Sequence, residues 1–96
     1  MVDMAMMQSS LNPVFMRYGI KKAVLFGSFA KGTDTENSDI DILVESGLHG
    51  LKFLGLLEDV KEAVGREVDL LDISHIEKGS LVESEILKTG KVIYEK

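Results

Sequence analysis

The sequence predicts a small α/β (α+β) domain, a mixed sheet of three or four strands with helices mainly on one face. Two observations carry this reading. Three apolar runs, at 20–26, 40–44 and 67–73, are rich in Val, Ile, Leu and Phe and are bounded by glycine or polar residues. Between the second and third lies a longer stretch, Leu51 to Val64, whose apolar residues recur at helical spacing.

Met4 to Tyr18 has Met7, Leu11, Val14 or Phe15 and Tyr18 near three-to-four spacing, which predicts a helix. Pro13 lacks an amide hydrogen, so a short helix restarting there with Asn12 as its cap is expected. Ile20 to Phe26, entered through Gly19, reads as the first strand. Ser28 to Lys31 is expected to form a short helical segment ended by Gly32, and Thr33 to Ser38 a polar turn. In the next strand Ile40, Ile42 and Val44 alternate with Asp39, Asp41 and Leu43, giving one apolar face and one partly acidic face. Leu51 to Val64 follows as the longest helix, closed by Gly65, and can cover one side of the sheet. Glu67 to Ile73 is the third strand. Ser80 to Lys88 is a short final helix ended by Gly90, with Ser80 and Glu83 spaced as a capping box. Val92 to Tyr94 is expected either to add an edge strand or to pack against that helix.

The chain has 96 residues, 45% of them apolar and 28% charged, which suits one globular domain, 1–96, with a modest core. A formal charge of -5 argues against strong nucleic-acid binding, because no basic stripe is available to neutralise a phosphate backbone. The absence of cysteine excludes disulfides and thiolate zinc sites. No apolar run approaches the roughly 20 residues of a membrane helix, and no basic-then-apolar leader is present, so a cytoplasmic protein is expected.

The chemistry concentrates in Val24 to Val44, VLFGSFAKGTDTENSDIDILV. Gly27 ends a strand, where a residue without a side chain allows a tight turn and close approach of a ligand to the backbone. If Ser28 opens a helix, its hydroxyl and the unpaired amides there suit a triphosphate. A Gly-Ser pair alone also fits an ordinary turn, and no P-loop is present. Asp39 and Asp41 lie on the same side of a strand, where two like charges raise each other's pKa unless a cation compensates them. Magnesium suits such a pair, since it takes carboxylates together with phosphate oxygens and water. The plain alternative is two acids pointing to solvent.

Asp69, in the run EVDLLDI, weighs against that alternative. Flanked by Val68 and Leu70, it would be costly to bury unpaired. If it faces the same side, three carboxylates converge on a site for two magnesium ions, and Asp69 is the candidate to assist deprotonation of an attacking hydroxyl. Asp72, three residues on, falls on the opposite face. Lys31 is a candidate phosphate contact, or equally a solvated lysine. Ser38, with Thr33, Thr35 and Asn37, is a candidate ligand contact in a loop that suits solvent equally well. His49 and His75 are single and fit structural or surface roles.

Gly27-Ser28, ten intervening residues, Asp39-Ile40-Asp41 and then Asp69 in EVDLL together resemble the minimal nucleotidyltransferases of the DNA polymerase beta superfamily. The resemblance spans Ile20 to Ile73, the motif core, and more loosely the C-terminus. It implies the nucleotidyltransferase fold, with Gly27 and Ser28 on the nucleotide phosphates, Asp39 and Asp41 on the metals, and Asp69 as the third catalytic acid. The arginine usual in the Gly-Ser-x-Ala-Arg-Gly pattern is Lys31 here, which keeps the charge but loses the planar fork. The small members resemble the antitoxins of toxin–antitoxin modules whose toxin is a helical HEPN protein. That resemblance implies transfer of AMP from ATP to a toxin tyrosine. A domain this small with a half-covered sheet is separately expected to form a homo-oligomer or hetero-oligomer. Two alternatives stand beside it: neutralisation of a toxin by binding alone, and nucleotide transfer to a small molecule.

Overall fold

In the computed structural model, which describes residues 4–27 and 39–96, the strand-forming runs join in a four-stranded sheet of order β3-β2-β1-β4. Strand β1 (Lys22–Phe26) is antiparallel to β2 (Ile40–Glu45) and to β4 (Lys91–Glu95), and β2 is parallel to β3 (Val68–Asp72). The described helices are α1 (Met4–Tyr18), α2 (Leu51–Val64) and α3 (Leu81–Thr89), with a 3-10 turn at Ile73–His75. The sheet is mixed, as expected, and the C-terminal run supplies its fourth strand. The helix expected over Ser28 to Lys31 and the turn over Thr33 to Ser38 lie outside the described residues.

A parallel β2–β3 pair needs a crossover connection, and α2 supplies it. Its apolar stripe, Leu56, Val60 and Val64, packs with Met7, Leu11 and Phe15 of α1 over one face of the sheet. That face is built by period-two alternation from Ala23, Leu25, Ile40, Ile42, Val44, Val68 and Leu70. Ile93 adds to it through a register shift in the β1–β4 ladder, where Ala23 faces Tyr94 but Val24 faces Val92. The extra residue is a bulge. Gln8 Nε2 donates to the Ile93 carbonyl at 3.1 Å, and Tyr94 meets the Phe15 ring at 5.4 Å.

Three details depart from the sequence reading. Helix α1 runs unbroken through Pro13, so Asn12 is not a cap; both residues are exposed, as is Ser9, whose carbonyl loses its helical donor to the proline. The helix ends in a Schellman motif instead: Gly19, at φ 68°, donates to the Met16 carbonyl, and Ile20 donates to the Phe15 carbonyl at 3.0 Å. Ile20 is therefore a buried cap residue, and β1 begins at Lys22. At α3 the Ser80 hydroxyl accepts from the Glu83 amide, but Glu83 Oε1 accepts from Gly79 rather than from Ser80, so the box reaches one residue further back.

The second face is partly covered. Helix α3 packs against β1 from that side, close enough that a Cβ at Gly90 would come within 3.0 Å of Val24 Cγ1 and overlap the Ile86 carbonyl. Phe26 and Leu43 are buried there, whereas Asp69, towards the β3 edge, is exposed. No described helix is long and apolar enough to cross a membrane.

Candidate nucleotide and metal site

Strand parity and register assemble the acidic side of the sheet. Asp41 faces Asp69 across the parallel β2–β3 ladder and Phe26 across the antiparallel β1–β2 ladder. All three side chains project away from the α1–α2 core, and Asp39 precedes Asp41 by two residues on the same side. The structure thus brings Asp39, Asp41 and Asp69 to one end of one face. Ser28, Lys31 and Ser38 lie outside the described residues.

Gly27 closes the site. It stands at φ 76°, in the left-handed region that a side chain disfavours. A Cβ there would also overlap Asp41 Oδ2, so the carboxylate uses the space that glycine leaves empty. The Gly27 amide is engaged within the fold: it donates to Thr89 Oγ1 at 3.0 Å, and the Thr89 hydroxyl donates to the Glu85 carbonyl at 2.8 Å. Sequence reasoning had no means to find Thr89, because it reaches the site from the far end of the chain.

The electrostatics follow from this crowding. Burial pushes the Asp41 carboxyl above its usual range, and the nearby charges of Asp69, Asp39 and Glu85 push it further. Asp41 is half-buried, while Asp39 and Asp69 are exposed. The expected desolvation of Asp69 is therefore not met: α3 stops short of it, and water reaches the carboxylate.

Like-charged carboxylates with hard oxygen donors suit a magnesium ion, which would relieve their repulsion. Among the described residues, no three His, Asp or Glu side chains are gathered as ligands of a single ion. Asp39 and Asp69 are solvent-facing, so their side chains can change rotamer without disturbing the core. The donor chemistry fits the ion.

Asp72 serves a different purpose on the opposite face of β3, as its parity requires. It is 3% exposed, and the described partners of its carboxylate are donors from two serines. Oδ1 accepts from the Ser46 amide and hydroxyl, and Oδ2 accepts from the Ser74 amide and hydroxyl. Burial alone would raise its pKa, but these serine hydrogen bonds outweigh burial and hold it down at about 2. The carboxylate ties the exit of β2 to the turn after β3. His75 belongs to that turn: its Nδ1 accepts weakly from the Asp72 amide at 3.4 Å, and its ring meets Phe53 edge-on.

The mixed sheet thus carries Gly27 at the end of β1 and carboxylates on β2 and β3, all on one side. The chain belongs to the family described as Polymerase beta, Nucleotidyltransferase, whose model matches residues 9–96. A candidate protein adenylyltransferase of Methanocaldococcus jannaschii is 42% identical over 67 residues, which are 67% of this chain and 71% of that protein. Protein adenylyltransferase MntA of Thermococcus cleftensis is 38% identical over 65 residues, 66% of each chain. Among solved structures, the fold matches a complex of tri-AMPylated Shewanella oneidensis HEPN toxin with its MNT antitoxin. The TM-score is 0.73 at 18% identity, covering 97% of this chain and 73% of that one.

Proposed function

We propose that this nucleotidyltransferase moves AMP from ATP onto a hydroxyl of a partner protein, a tyrosine of a HEPN-type toxin, and so neutralises it. The observation that carries this reading is the Gly27–Asp41–Asp69 juxtaposition, a glycine turn beside paired carboxylates. The adenylyltransferase relatives favour AMP and a protein acceptor. The AMPylated HEPN toxin held by a similar fold favours that class of partner.

Magnesium bound by Asp39, Asp41 and Asp69 would neutralise triphosphate charge and lower the pKa of the attacking hydroxyl. Gly27 and Ser28 would let the phosphates approach the backbone, with Lys31 and Ser38 as further contacts. The acceptor oxygen forms a bond to the α-phosphorus, and the bond to the bridging oxygen towards the β-phosphorus breaks. Pyrophosphate leaves with that electron pair, and the hydroxyl proton passes to Asp69. A cytoplasmic setting supplies both ATP and magnesium.

Incubation with labelled ATP, magnesium and the product of the neighbouring gene tests the reading by mass spectrometry of the acceptor. The expected result is one or more AMP groups on a tyrosine, lost with Asp39→Asn or Asp41→Asn. Wild-type transfer by both variants would overturn the site assignment. Neutralisation that survives both variants and needs no ATP would instead establish inhibition by binding. The nearly full exposure of Leu81 and Leu87 on α3 gives that second reading its support.

A further inference from the structure

The Gly27 amide has a specific partner, and the partner's own hydrogen is already committed. Thr89 Oγ1 donates to the Glu85 carbonyl, as a helical threonine can, which turns an oxygen lone pair towards the amide it accepts. Thr89 is the last residue of α3, and Gly90 behind it leaves no room for a side chain between the helix end and Val24. The helix end is thus seated on the C-terminal end of β1. Gly27 in its turn leaves the space that Asp41 Oδ2 occupies.

We infer that Thr89 is a positioning residue for the nucleotide and metal site, holding Gly27 in its left-handed conformation and so keeping room for the Asp41 carboxylate. The inference rests on the proposed nucleotidyl-transfer reading of that site. Without the hydroxyl, the amide of Gly27 has lost its acceptor, and a residue type with few conformational limits of its own has lost its constraint. Asp41 then loses a fixed neighbour, and the metal site loses definition.

The full chain in three forms, wild type, Thr89→Val and Thr89→Ser, tests this. Valine keeps the volume and removes the hydroxyl; serine keeps the hydroxyl. Amide exchange at Gly27, followed by NMR, reads the contact directly. The magnesium concentration for half-maximal binding of AMP-PNP reads its consequence. Thr89→Val is expected to speed Gly27 exchange and raise the magnesium midpoint, each about three- to tenfold, with Thr89→Ser close to wild type. An unchanged magnesium midpoint in Thr89→Val, whatever its melting temperature, would overturn the inference by reducing the contact to helix docking. A serine variant as impaired as the valine variant would overturn it as well. If wild type binds no AMP-PNP at any magnesium concentration, the functional reading falls, and the positioning role falls with it. In that event Gly27 exchange still tells whether Thr89 constrains the turn.

Discussion

Asp41 occupies with its carboxylate the space that a side chain at Gly27 would need, so the acid and the glycine form one feature. Gly27→Ala therefore meets two obstacles, a φ of 76° and an overlap with Asp41 Oδ2. The expected outcome is a loss of about 1–3 kcal/mol in stability together with a large fall in nucleotide transfer. Thermal unfolding and transfer measured on the same preparation check it. Full activity in the alanine variant would separate the two residues.

The acids are crowded for chemistry rather than for stability. Burial and the neighbouring charges of Asp69, Asp39 and Glu85 disfavour the ionised form of Asp41. Asp41→Asn is thus expected to abolish transfer while leaving unfolding stability equal or higher in the absence of magnesium. Denaturant titration with and without the ion decides. A marked loss of stability in metal-free buffer would contradict the electrostatic account.

Chelation of magnesium should stop transfer without unfolding the chain, because the core formed by α1, α2 and the inner face of the sheet contains none of the three acids. Circular dichroism before and after addition of a chelator provides the control. Transfer that continues undiminished in excess chelator would remove the metal from the proposal.

Asp72 links the stability of the fold to pH in the acid range. Its folded pKa, about 2, lies below the ordinary 3.8, so the folded form holds fewer protons and stabilises the chain above 3.8. That contribution, about 2–3 kcal/mol, is lost as pH falls from 3.8 through about 2. Asp72→Asn should show the deficit at neutral pH and converge on wild type near pH 2. Parallel unfolding curves across the whole acid range would exclude the four-donor clamp as the cause.

Tyr18 provides a contrast to the reacting centre. Its hydroxyl donates to Asp59 Oδ2 at 2.6 Å, beside an Arg17 ion pair to the same oxygen, and this joins α1 to α2. The hydrogen bond raises the Tyr18 pKa. Tyr18→Phe is expected to lower the melting temperature slightly and to leave transfer to the partner unchanged. A marked fall in transfer by the phenylalanine variant would contradict this purely structural role.

Much of the fold was legible because it is local. The alternation of Ile40, Ile42 and Val44 with Asp39 and Asp41 assigns faces within a strand, and the spacing of Leu56, Val60 and Val64 assigns a helix. Pro13 misled, since a missing amide costs least where the orphaned carbonyl reaches water. Ile20 misled because an apolar residue after Gly19 serves a helix cap as readily as a strand. For the candidate site, Gly27, Asp39, Asp41 and Asp69 were legible as residues, but not their mutual fit.

By itself the sequence determined side-chain parity: Asp39 with Asp41 on one face, Asp72 opposite Asp69. A period of two needs no distant contact. Only the tertiary structure decided that β3 lies parallel to β2 in the register that sets Asp69 against Asp41, and that α3 brings Thr89 to Gly27. Those pairings join residues far apart in the chain, and they are fixed by which faces the whole molecule must bury.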